Sequence, residues 1–268
     1  MMNSIVDTTV ASNELFMASI VDARWYYKGN IKVGNIATFS KLPGDMNYVT
    51  SYGIVQGTCA GCCEHCGHSI DGKRPPCYVF KSHRYPSVVD SQARNTLSVR
   101  NNPELAFEQL SASIKRKKKK PTAGRYDQSG EIVSKEEMIG MCKVAKENNS
   151  IPFYVYTKKY DVVIPMLLAG EVPKNLTVLI SIWHTQGIRE FLKVAHLSNV
   201  KAFVYCDKNS DTVNGWGTEE YAKHGIIIQT FCAAYDINGK MNHKVTCDKC
   251  RKCFNRGVKS KVIGCWDH

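Results

Sequence analysis

The sequence has no apolar run near the roughly 18 residues that a membrane-crossing helix needs, so no membrane partner is expected. Met1 to Phe16 lacks a basic stretch followed by an apolar one, and no secretory leader is read there. No repeat of solenoid length is present, which excludes a stacked-repeat architecture. Acidic residues are scarce: 24 Asp and Glu face 36 Lys and Arg, a net charge of +12. The imbalance favours polyanionic partners such as nucleic acid, or a negatively charged substrate. Six of the cations form one run, Lys115 to Lys120, with no aromatic residue interleaved as a base-stacking surface would need. Such a run reads first as a solvated helix end. The expected setting is a reducing cytoplasm, where clustered cysteines serve metal or redox chemistry.

Cysteine is what the chain has in excess, with twelve in 268 residues. Cys59, Cys62, Cys63, Cys66 and Cys77 all fall between Thr58 and Tyr78. At 43% hydrophobic residues the chain can bury an ordinary core and needs no covalent staples, which weighs against disulfides. Zinc and iron–sulfur ligation both stay open. Cys59, Cys63 and Cys66 have C-x3-C-x2-C spacing. Three thiolates on one loop can hold three irons of a [4Fe–4S] cluster and leave the fourth open to a small molecule. Cys62 and Cys77 offer other ligand sets, and His65 or His68 could join a zinc site. A second run, Cys247-x2-Cys250-x2-Cys253, has Cys232 or Cys265 as a candidate fourth ligand. Four thiolates would close that site, which suits structure or electron transfer. Cys142, on a helical apolar stripe, and Cys206, at a strand end, read as core.

Between the two cysteine groups, strand and helix patterns alternate. Strands are expected at Tyr48–Val55, Arg125–Asp127, Pro152–Tyr156, Leu176–Ile182, Val200–Cys206 and Ile226–Phe231. Helices are expected at Pro86–Arg100, Pro103–Lys120, from Ser134 onward, and at Asp161–Ala169, Gly187–Ala195 and Thr218–Lys223. Ser134 with Glu137 three residues on reads as a capping box. The alternation predicts an α/β fold with a parallel sheet. Near-continuous apolar strands such as Val178-Leu179-Ile180 fit a sheet covered on both faces. The expected parts are an N-terminal extension over 1–36, a β/α unit over 37–231 with the cysteine loop at 58–78, and a cysteine-rich tail over 232–268.

These features resemble the radical S-adenosylmethionine (SAM) enzymes and, more closely, the phage "gene product 88" family. The matching residues are Ala37-Thr38-Phe39 with Leu42-Pro43, Thr58-Cys59, Cys77-Tyr78, Tyr85-Pro86-Ser87-Val88, Ser129-Gly130-Glu131, Tyr154 to Lys158, and Cys232 with Thr246 to Cys253. They run through residues 36–254. The resemblance implies a partial (β/α)6 barrel of radical-SAM type with a small C-terminal iron–sulfur tail. It implies a [4Fe–4S] cluster at the carboxyl ends of the strands, with SAM on the open iron and an external electron donor. Such enzymes cleave SAM to a 5′-deoxyadenosyl radical that takes a hydrogen from the substrate. By motif match, Ser129, Gly130 and Glu131 would lie near SAM's amino group, and Lys158, Ser181 and His184 would face the same mouth. The family pattern favours Cys77 in the first ligand set, whereas spacing favours Cys63 and Cys66; Cys59 is common to both. Cys232, Cys247, Cys250 and Cys253 would hold an auxiliary cluster. The substrate is expected to be anionic or derived from nucleic acid. The competing expectation is a basic zinc protein that binds nucleic acid without catalysis.

Overall fold

The computed structural model describes residues 15–27, 32–60, 78–183, 185–206, 217–236, 238, 240–255 and 257–266. Seven strands form the main sheet: β1 (Ile36–Thr38), β4 (Ala123–Tyr126), β5 (Phe153–Thr157), β6 (Leu176–Ile182), β7 (Val200–Cys206), β8 (Thr230–Phe231) and β9 (Val262–Trp266). Their order is β1-β4-β5-β6-β7-β9-β8, and every neighbouring pair is parallel. Two further strands, β2 (Asn47–Thr50) and β3 (Gly53–Gln56), make a separate antiparallel hairpin. The helices are α1 (Pro86–Asn101), α2 (Pro103–Arg116), α3 (Lys135–Glu147), α4 (Tyr160–Leu168), α5 (Thr185–Val194), α6 (Thr218–Lys223) and the short α7 (Cys247–Cys250). A 3-10 helix, Tyr78–Arg84, precedes α1.

From β1 to β7 each new strand joins the side of the last, with helical crossovers between them, as parallel pairing requires. Alternate residues face opposite ways along each strand. One set, including Ala37, Tyr126, Phe153, Val155, Val178, Ile180, Ala202 and Val204, packs against α2, α3, α4 and α5 in the large core. The other set, Ile36, Ala123, Tyr154, Leu179 and Ile263, forms a smaller core on the opposite, inner face. β6 is buried along its whole length, which explains its unbroken apolar sequence. Cys142 and Cys206 lie in the large core, as their positions suggested.

The α/β architecture with a parallel sheet is as expected, and the sheet does not close among the described residues. β1 and β8 are its edges and do not pair. Each edge has a local reason. β8 is only two residues long, because Ile226 turns into the core and Ile227 faces solvent where a longer strand was expected. The free edge of β1 is taken by Tyr26, which exchanges two 2.8 Å main-chain hydrogen bonds with Thr38. The expected Tyr48–Val55 strand is instead the β2–β3 hairpin, reversed at residues 51–52 ahead of Gly53 at φ +106°. Only glycine adopts that angle readily.

The C-terminal stretch is woven into the sheet, since β9 lies between β7 and β8. Its preceding segment crosses the inner face. Cys247 N donates to Lys32 O (2.8 Å) beside β1, Phe254 stacks on Tyr154 of β5 at 5.0 Å, and Lys201 of β7 reaches the far end. The Lys201 ammonium is buried and donates to the carbonyls of Lys252 (2.6 Å), Asn255 (3.1 Å) and Val258 (3.4 Å). At the β1 end, Asn35 N donates to the Asp248 carboxylate (3.0 Å), which lies against Gly34. A Cβ on Gly34 would sit 2.1 Å from Asp248 Oδ1, so this clip requires glycine.

Candidate functional site

The cysteine loop begins where three pieces of chain meet beyond the carboxyl end of β4. Thr58 N and Oγ1 both donate to Leu42 O, at 2.9 and 2.8 Å, and Cys59 N donates to Gly44 O (2.8 Å). Thr58 Oγ1 also accepts from Glu131 N at 2.8 Å. Gly130, at φ +85°, packs directly on Thr58: a Cβ there would lie 2.6 Å from its Oγ1. Ser129 is tied to the same segment, since its O accepts from Lys41 N and its Oγ donates to Lys41 O, both at 2.8 Å. The Ser129-Gly130-Glu131 turn therefore positions Cys59, whose side chain is buried. Cys63, Cys66 and Cys77, with Cys62, His65, His68 and His184, lie outside the described residues.

Glu131 is 4% exposed and its carboxylate is engaged by the chain. Oε1 accepts from Thr157 Oγ1 (2.5 Å) and Ile132 N (2.9 Å), and Oε2 from Lys158 N (2.8 Å). Burial raises its pKa, opposed by the Lys158 charge and these hydrogen bonds. Lys158 follows β5, and its ammonium lies 4.6 Å from the centre of the Trp183 ring, which stacks on Tyr205 at 4.8 Å. Ser181, nearly buried, is near the end of β6. The Ser-Gly-Glu turn, Lys158 and Ser181 thus occupy the carboxyl ends of three adjacent strands.

Beneath the turn lies an ion cluster that sequence reasoning missed. Lys41, fully buried, pairs with Glu137 on α3 and with Asp127 (3.3 Å), and donates to Glu131 O (2.8 Å). Asp127 is in the left-handed region at φ +45°, and apart from that ion pair neither carboxylate oxygen accepts a hydrogen bond among the described residues. Its pKa is pushed well up, by burial first and then by Glu137 and Glu131, against the pull of Lys41. The expected cap is present, with Ser134 Oγ accepting from Glu137 N (3.2 Å), but the Glu137 carboxylate also serves Val133 N (2.8 Å).

The second thiol group lies on the inner face. Cys232 N donates to Gly264 O (2.7 Å), which sets Cys232 beside Cys265 of β9. The neighbouring Cys265 thiol favours the Cys232 thiolate and lowers its pKa; Lys32 and Arg125 act in the same direction. The partner thiol, Cys265, is raised by the same contact. Cys247 and Cys253 pack against the inner-face core. Burial pushes Cys253 up to about 12, although the Tyr156 phenol donates to it. Arg125 stands 4.7 Å over the Tyr156 ring, and its charge favours the thiolates of Cys232, Cys247 and Cys253 alike. Cys250 is half-buried on α7. Among the described residues no three His, Cys, Asp or Glu side chains are grouped to hold a metal ion. The donors still suit a thiolate-bound group in kind: soft sulfurs on one face, with Arg125 and Lys32 to offset their charge. Arg125 and Lys201 had one legible signal, an isolated cation inside an otherwise apolar strand.

The basic run has structural work. Lys115 pairs with Glu147 (2.7 Å), Lys117 lies 4.1 Å over the Tyr27 ring, and Lys120 donates to the last carbonyls of α2, Ile114 O (3.0 Å) and Lys115 O (2.8 Å). Three of its six charges thus have partners on the chain, and Lys120 caps the end of α2. No helix among the described residues is long and apolar enough to cross a membrane.

Comparison with curated proteins found no match, and comparison with solved structures found none either. The family model described as "Gene product 88" matches residues 26–256, which takes in the sheet from β1 to β8, the Ser-Gly-Glu turn and both cysteine groups. The chain belongs to the phage gene product 88 family.

Proposed function

We propose that this protein is a radical SAM-type iron–sulfur enzyme of the cytoplasm, with its sheet serving as a partial (β/α)6 barrel. The observation that carries the proposal is the seating of Cys59. The first thiol of the loop is fixed by Thr58 against the Ser129-Gly130-Glu131 turn, at the end of a parallel sheet where such chemistry is usually housed. On this reading Cys59 and two of Cys63, Cys66 and Cys77 hold a [4Fe–4S] cluster. Cys232, Cys247, Cys250 and Cys253 hold a second. A cluster held at Cys59 would, when reduced by an external donor, supply one-electron chemistry toward bound SAM.

The chain's own part is to bind and orient. The peptide groups of the Ser129-Gly130-Glu131 turn offer acceptor character toward an ammonium, with the buried Glu131 carboxylate holding the turn from behind. Lys158, fixed at its backbone by Glu131, offers the matching cation for a carboxylate. Ser181 adds a hydroxyl on the same rim. Arg125 and Lys32 offset thiolate charge on the inner face. The net charge of +12 favours an anionic or nucleic-acid-derived substrate.

Oxygen-free purification with metal analysis tests the proposal. A brown protein with about eight irons per chain is expected for two four-iron clusters. A colourless protein carrying only zinc would overturn it.

A further inference from the structure

A cavity of about 480 Å³ runs along the inner side of β1, roofed by the first turn of α1, and reaches the Gln128–Ser129 turn. Its volume is in the range of sites for small molecules. Its lining is unlike the rest of this chain. Among the described residues that form it there is no Lys, Arg, Asp or Glu, although the protein carries 36 basic side chains.

The lining is instead rich in neutral hydrogen-bonding groups. Ser40, Ser87 and Ser91 contribute hydroxyls that no hydrogen bond engages among the described residues. Ser40 is the least exposed of the three at 9%, Ser91 is half-buried and Ser87 is exposed. Gln92 uses its carbonyl oxygen on His83 (2.9 Å), which leaves its amide group as a donor. Val33, Ile36, Val79 and Val88 supply apolar walls between these groups. Arg94 stands behind Tyr26, donating to the phenol at 3.1 Å and facing Asp22 at 3.8 Å, while its buried Nε has no hydrogen-bond acceptor among the described residues.

We infer that this cavity binds the substrate, and that its ligand is an uncharged, hydroxyl-bearing molecule of nucleoside or monosaccharide size. Among the described lining residues, a charged group entering it would find no counter-charge to offset its lost hydration. The open N-terminus of α1, which has no side-chain cap, offers about half an elementary charge, too little to neutralise a phosphate dianion. A neutral polyol instead satisfies the three hydroxyls and lies against the valines. SAM carries an ammonium, a carboxylate and a sulfonium, so it belongs beside Lys158 and the Ser129-Gly130-Glu131 turn, which this cavity meets at Ser129. This reverses the expectation drawn from net charge. The word substrate rests on the enzyme proposal; the binding itself does not.

Calorimetric titration of the full chain tests the inference without SAM turnover. The probes are uridine, thymidine and glucose, each beside its monophosphate. At least one neutral probe is expected to bind about tenfold or more tightly than its phosphorylated partner. Ser91→Leu, which fills the cavity from a helix position that accepts leucine, should abolish that binding. Ser40→Ala and Ser91→Ala, which keep the fold if the leucine does not, should each weaken it about tenfold. Equal or tighter binding of the phosphates overturns the inference. So does failure of every neutral probe at millimolar concentration, or binding that no variant alters. Loss of binding with SAM cleavage intact would defeat only this inference, and binding without SAM cleavage would defeat only the enzyme.

Discussion

Thr58 accepts a 2.8 Å hydrogen bond from the backbone N–H of Glu131, 73 residues along the chain. The same hydroxyl donates to Leu42 O, so one buried oxygen joins the start of the cysteine loop, the chain beyond β1 and the turn beyond β4. Thr58→Val keeps the shape and removes both bonds. It should cost about 1–3 kcal/mol, because Glu131 N is left buried without an acceptor. Denaturant unfolding measures the cost, and iron bound per chain should fall with it. An unchanged midpoint and iron content would mean that the hydroxyl is dispensable.

Lys41 is the only cation bonded directly to Asp127 and Glu137 among the described residues. Lys41→Met leaves two buried carboxyl groups without it and should destabilise the fold by about 3–5 kcal/mol. Adding Asp127→Asn should recover part of that loss, since it removes one of the stranded acids. A double variant no more stable than Lys41→Met would show that the three side chains are not coupled.

Asp127 also gives a pH signature. Its pKa is raised in the folded state, by burial above all, so the native protein holds that proton more tightly than the unfolded chain does. The contribution is fully present below the ordinary carboxyl value of about 3.9 and is lost as pH rises through the higher folded value. Glu131 shifts in the same direction. Asp127→Asn should therefore flatten the decline in stability as pH rises above about 4, and asparagine accepts the left-handed backbone there. Unfolding midpoints compared across pH for the two proteins check this. A parallel pH dependence would contradict it.

One buried ammonium, Lys201, fixes the far end of the tail segment on the inner face. Lys201→Met should leave the carbonyls of Lys252, Asn255 and Val258 without that donor. Charged hydrogen bonds of this kind are worth about 1.5–3 kcal/mol. Amide exchange over residues 246–258 should speed up while the β5–β6 ladder stays protected. Uniform acceleration across the chain would mean that the tail is not a separate unit of stability.

The fold was legible where the sequence pattern was local. β6 and β7 match their apolar runs, α1 starts at Pro86, and α4 stops ahead of Gly170 at φ +70°. Closure was not legible, because it depends on which distant segments reach the sheet edges. Nothing near Tyr26 announces that it will cover β1, and nothing near Val262 announces insertion between β7 and β8. The Ser129-Gly130-Glu131 segment was legible as a turn after a strand but not as a clamp on Thr58, since that contact joins elements far apart in the chain. Lys201 and Arg125 are the lone charged residues of β7 and β4. Their partners, tail carbonyls and tail thiols, could not be read from spacing.

The central claim is that the thiols beginning at Cys59 support cleavage of SAM. The direct measurement is 5′-deoxyadenosine released when the reconstituted protein, SAM and a strong reductant are combined without oxygen, for the native chain and for Cys59→Ala. The account predicts release by the native chain and none by the variant, with about four irons lost from it. No 5′-deoxyadenosine from a fully iron-loaded native chain under any reductant, or equal amounts from both proteins, would contradict it.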